Sequence, residues 1–189
     1  MLAVITNAYS NVVSSFFGVK FQRSIEELLV SPMPTYLILI GFVLGGVVRG
    51  IIVGFLVLLT SLIFTDITVQ NIPLTLLVVV MTACLFSIAG FLNALFADNF
   101  DDINIVPTFI LTPLIYLGGV FYSVDLLSNT WQIVSKANPL LYMVNAFRYG
   151  MIGVSDINVQ SALMMITFFI LIFFTLAWYL LKKGYGIRN

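Results

Sequence analysis

The chain has 189 residues, of which 61% are hydrophobic and 8% charged, with eight Lys/Arg against eight Asp/Glu and no histidine. A soluble domain carries about 25% charged residues to cover its surface. With so few charges and a mean hydropathy of +1.12, most of this surface must face hydrocarbon, which makes the chain an all-α integral membrane protein. A net charge of zero offers no basic patch to displace counterions from phosphate, so nucleic acid is excluded as a partner. The single cysteine, Cys84, lies inside an apolar run and rules out a disulfide framework or a thiolate metal site. Without histidine the commonest general base and metal ligand are both missing.

Residues 1–18 carry no charge, and nothing in them resembles the basic start and clean apolar core of a signal peptide. Asn7, Ser10, Asn11, Ser14 and Ser15 recur at i, i+3, i+4, i+7 and i+8, which puts them on one helical face. The segment reads as the end of a span, with that stripe turned either to a neighbouring helix or to a path. Residues 20–34 form the first polar interval. Phe21, Ile25, Leu28 and Leu29 share a face there, opposite Arg23, Glu26 and Glu27, and Pro32 and Pro34 stop the helix. This amphipathic helix is too short to span a membrane.

Residues 35–64 are apolar except for Arg49. At ~1.5 Å per residue the run is about 45 Å long, against roughly 30 Å of hydrocarbon. Its first part is expected at the interface, with Arg49 near the start of the true span and reaching back to the headgroups. Gly46, Gly50 and Gly54 repeat every fourth residue, a spacing that lets helices approach closely in lipid. Residues 72–96 and 106–124 are the next two spans, the second kinked at Pro113. Residues 125–156 read as two short re-entrant or interfacial helices broken at Asn138-Pro139, with Arg148 near the interface and Asp125 as its candidate partner. Residues 159–181 are the last span, ending in Trp178 and Tyr179 before Lys182, Lys183 and Arg188.

The expected fold is thus four complete spans, 35–64, 72–96, 106–124 and 159–181, plus the end of another. Lys20, Arg23, Lys182, Lys183 and Arg188 then share a side, with Lys136 and Arg148 opposite, so the first side, with the C-terminus, is cytoplasmic.

No G-x-x-x-x-G-K-[ST] loop occurs to cradle ATP, and no nucleophile has a base beside it. Asp98, Asp101 and Asp102 could hold Mg²⁺ at the membrane surface, as in a lipid-headgroup transferase, or simply form a solvated loop.

Three blocks carry a resemblance. Phe21-Gln22-Arg23-Ser24-Ile25-Glu26-Glu27-Leu28-Leu29-Val30-Ser31-Pro32 is the first. The second runs from Asp101-Asp102 through Val106-Pro107-Thr108-Phe109 to Pro113-Leu114 and Tyr116-Leu117-Gly118-Gly119-Val120-Phe121-Tyr122-Ser123, and the third is Asn138-Pro139-Leu140-Leu141-Tyr142-Met143-Val144-Asn145-Ala146-Phe147-Arg148-Tyr149-Gly150. In this order they resemble the ATP-binding-cassette type-2 export permeases of bacterial inner membranes, of the polysaccharide and drug export type.

The resemblance implies a six-span permease that dimerises and docks a separate nucleotide-binding ATPase subunit. MgATP would bind there and no cofactor on this chain, with membrane lipids as the other partners. Phe21, Ile25, Glu26, Glu27, Leu28 and Leu29 match the coupling helix, and 125–156 the outer re-entrant region. It also implies that the first span and most of the second are missing, so a truncated, inactive permease stands beside the transferase as an alternative.

Overall fold

In hydrocarbon a peptide N–H has no water to bond, so each long apolar run closes its hydrogen bonds within itself as a helix. The computed structural model describes residues 1–22, 24–25, 33–65, 69–120 and 128–186. Its helices are α1 (Leu2–Phe21), α2 (Thr35–Phe64), α3 (Ile72–Phe96), α4 (Asp102–Leu117), α5 (Asn129–Lys136), α6 (Pro139–Ile152) and α7 (Val159–Lys183). No strand occurs among the described residues.

Four helices, α1, α2, α3 and α7, are long and apolar enough to cross a membrane. They are not the same four that hydropathy picks out. α1 is a helix of 20 residues, long enough to cross rather than only the end of a span. In place of a span over 106–124, α4 stops at Leu117, where Gly118 leaves helical geometry and Gly119 takes a positive φ of 68°. Two prolines also loosen this helix. Pro113 cannot donate to the carbonyl four residues back, and Val106–Leu111 widens into a π-helical stretch. There the Thr112 hydroxyl donates to the Pro107 carbonyl at 2.9 Å.

The core is the packing of α1 against α2 and α3. Between helices in lipid there is no hydrophobic drive, so van der Waals fit holds them together. Glycines set that fit. A Cβ on Gly46 would collide with Ser87, Val12 and the Ala8 carbonyl, and one on Gly90 would lie 2.6 Å from the Tyr9 carbonyl. Phe16 fills the centre, its ring 5.2 Å from Phe42 and 4.2 Å from Phe91.

α1 and α3 run parallel and pack directly on each other, with α2 antiparallel against both. The Lys20 ammonium at the end of α1 donates to the carbonyls of Leu95 (3.0 Å) and Ala97 (2.6 Å) at the end of α3. The turn after α7 reaches the same place, since a Cβ on Gly186 would collide with the Leu95 carbonyl. Lys20, Asp98, Lys182 and Lys183 therefore share one side of the molecule. On the other side α6 ends against the start of α3, where the N–H groups of Gln70 and Asn71 reach the Met151 and Gly150 carbonyls.

The glycine packing yields a test. Gly46→Val should lower thermal stability in detergent by about 1–3 kcal/mol, the usual cost of overpacking. Gly41→Val, where a Cβ meets nothing within 4 Å, should be near neutral. Equal melting of the two variants would contradict the packing described.

Candidate functional site

α1 is two-sided in the sense opposite to a lipid-facing helix. Val4, Ile5, Ala8, Tyr9, Val12, Val13, Phe16 and Phe17 are buried. Its outward face carries Thr6, Asn7, Ser10, Asn11, Ser14 and Ser15, the serines exposed and the asparagines half-buried. Some of this polarity is answered within the helix, since Ser14 donates to the Ser10 carbonyl at 2.7 Å and Asn7 to Ala3 at 2.9 Å. The outward faces of α2 and α7 are what hydrocarbon requires, with Leu44, Val48, Ile52 and Leu56 on one and Phe168, Leu171 and Ile172 on the other.

Arg49 joins the polar face. A Cβ on Gly45 would lie 3.7 Å from the Asn11 side-chain oxygen, and Arg49 follows Gly45 by one turn on the same edge of α2. Its depth follows from Gly50, whose Cβ would sit 3.4 Å from Ala83, at the middle of the 25-residue α3. Half the hydrocarbon is ~15 Å thick, more than an arginine side chain can bridge by snorkelling. α2 is one continuous helix with Arg49 near its centre, with no break there between an interfacial part and a span. Arg49 is exposed and makes no ion pair among the described residues.

The second polar feature is a broken crossing. α4 ends at Leu117 and α6 begins at Pro139, both level with Leu85 and Ala89 of α3 around a shared apolar cavity of about 370 Å³. Unpaired backbone at this depth must be answered by protein. Asn138 does this, capping α6 through its oxygen (3.0 Å from Leu140 N) while its amide donates to the Leu114 carbonyl of α4 at 2.6 Å. Arg148 of α6 donates to the Gly119 carbonyl at 2.8 Å and to Asp156 at 3.2 Å. Asp156 in turn donates its N–H to Asn145 at 3.0 Å. Among the described residues Arg148 thus pairs with Asp156, while Asp125, the partner expected from the sequence, lies outside the described residues.

At the Lys20 end the structure separates the expected coupling residues. Phe21 is 64% exposed, its ring 5.1 Å from Phe100, whereas Ile25 is 2% exposed and belongs to the core. Glu26, Glu27, Leu28 and Leu29 lie outside the described residues. The aspartates do not converge on an ion. Asp102 accepts the N–H groups of Asp98 and Asn99 at 3.0 Å each, and Asp98 lies 4.0 Å from Lys20. Among the described residues no group of three or more carboxylates or thiols is arranged to hold a metal.

Sequence reasoning missed Asp156 because the turn at Gly153 (φ 74°) breaks helical spacing between it and Arg148. It also missed Lys20 as the cap of α3, for which its place at the end of an apolar run was the available signal.

Four helices long and apolar enough to cross a membrane, with a polar outer face on α1 and a broken crossing at Leu117, define a multi-pass membrane protein of the transport permease class once its relatives are considered. The chain belongs to the ABC-2 type transporter family, whose model matches residues 1–152. It is 52% identical over 189 residues to the inner membrane transport permease YadH of Escherichia coli K12, covering all of this chain and 74% of that protein. The YadH of Shigella flexneri matches equally well. Nodulation protein J of Rhizobium leguminosarum bv. viciae is 24% identical over 106 residues, 56% of this chain and 41% of that protein. No solved structure gives a significant match.

The Arg148–Asp156 pair is partly buried, with side chains 23% and 18% exposed. Arg148→Gln and Asp156→Asn should each destabilise the protein, and the double variant should recover part of the loss, with a coupling of roughly 0.5–3 kcal/mol. Strict additivity of the melting shifts would contradict the pairing.

Proposed function

We propose that this chain is the membrane half of an exporter of the inner membrane. Two copies enclose the path, and a separate ATPase subunit drives it with MgATP. The observation that carries this reading is the polar outer face of α1. Hydrocarbon cannot cover Asn7, Ser10, Asn11, Ser14, Ser15 and a mid-depth arginine without a cost of several kcal/mol. A second copy meeting this face across a hydrated path covers it without that cost.

The side holding Lys20, Lys182 and Lys183 is then cytoplasmic, and so is the C-terminus. The interval between α1 and α2 lies on that side, where an ATPase would dock. Its entry is tied to the rest of the bundle. Phe17 and Phe21 pack on Phe100, with Phe17–Phe100 centroids 4.9 Å apart, and Lys20 holds the end of α3. A push on this interval would reach the α3–α4 loop directly. Phe21, Glu26, Glu27, Leu28 and Leu29 are the residues we assign to docking, through an apolar face rimmed by carboxylates.

Purified alone, the permease should release phosphate from MgATP only at background. Co-expressed with its ATPase, it should co-purify with it, and Leu28→Asp combined with Glu26→Lys and Glu27→Lys should abolish that association while leaving membrane insertion intact. Variants that insert, bind the ATPase and transport like the parent would overturn the docking assignment.

A further inference from the structure

We infer that Arg49 is an anion-binding residue at the middle of the path, and that the carried molecule presents a carboxylate, phosphate or sulfate to it. The inference rests on the path proposed between two copies. Three observations lead there. Arg49 is level with Ala83 at the centre of α3, exposed, and without an ion pair among the described residues. The described carboxylates are elsewhere, with Asp98, Asp101 and Asp102 at the Lys20 end and Asp156 on Arg148. In the two-fold pair proposed above, the face that a second copy brings would hold the same hydroxyls, amides and arginine, and so would add no counter-ion from these helices.

Two Arg49 side chains therefore make the path electropositive at mid-depth, where low dielectric strengthens attraction for an anion. A guanidinium binds two oxygens of a carboxylate, phosphate or sulfate through two parallel hydrogen bonds, and the amides of Asn7 and Asn11 on the adjoining edge can donate to the remaining oxygens. A bilayer headgroup is the wrong source for this anion, since headgroups lie ~15 Å away at the interface. The occupant is the transported molecule.

The test uses the permease with its ATPase in phosphatidylcholine nanodiscs, with dodecyl phosphate and dodecyltrimethylammonium as probes. The parent should bind dodecyl phosphate in preference to the cation. Arg49→Gln should weaken that binding roughly tenfold or more, the scale of a lost charge-assisted bidentate contact, and Arg49→Lys should restore most of it. Should Arg49→Gln not fold, Asn11→Asp supplies a built-in counter-ion beside Arg49 and should weaken the same probe. Phosphatidylglycerol added to the discs should not compete.

Equal binding of both probes, no loss in either variant, or full competition by phosphatidylglycerol would each overturn the inference. Association with the ATPase is measured on the same samples. A parent that binds the ATPase yet shows no preference for dodecyl phosphate counts against the role of Arg49 alone, whereas a parent that never binds an ATPase counts against the permease reading.

Discussion

Hydrocarbon leaves no backbone polar group without a cost, and most of this structure follows from how that demand is met. Where a run is long enough, the helix meets it internally. Where helices end, side chains take over. Lys20 caps the last carbonyls of α3, Asn138 bridges α4 and α6 at the middle of the bundle, and the N–H groups before α3 receive the end of α6. Each of these ties also fixes one helix against another, so the polar connections determine the arrangement as much as the apolar packing does.

Against that background the outer face of α1 stands out. Its inner face is packed with Phe16, Phe17 and small residues against α2 and α3, and glycines bring the three backbones close. The face that remains is one that only water or protein can cover. Placing Arg49 beside it turns a neutral stripe into a surface with a sign.

The class of fold was legible in composition alone, because 8% charge cannot solvate a folded chain. The crossings 72–96 and 159–181 were legible because hydropathy over about 20 residues is a sufficient signal for a span. The stop at Leu117 was not. The apolar run continues through Val120, and only the backbone at Gly118–Gly119 ends the helix there. The polar stripe of α1 was visible as a period, but whether it faced inward or outward depends on which neighbours α1 packs against. The level of Arg49 within the bundle was not legible for a related reason. A 30-residue helix does not state where the bilayer lies along it, and contacts of Gly46 and Gly50 with α1 and α3 were needed to set the level. Ile25 belonged to the expected outer face by spacing, yet tertiary packing draws it inward.

The central claim is that the polar face of α1 borders a hydrated path. Water accessibility measures this most directly. In a Cys84→Ser background, single cysteines at positions 10 and 14 should react with a small charged thiol reagent from the aqueous phase, and the reaction should be slowed by a bound anionic amphiphile. Cysteines at positions 52 and 171, on the lipid faces of α2 and α7, should stay unreactive. Protection at 10 and 14 equal to that at 52 and 171 would place the stripe in a dry contact or in lipid, and would contradict the account.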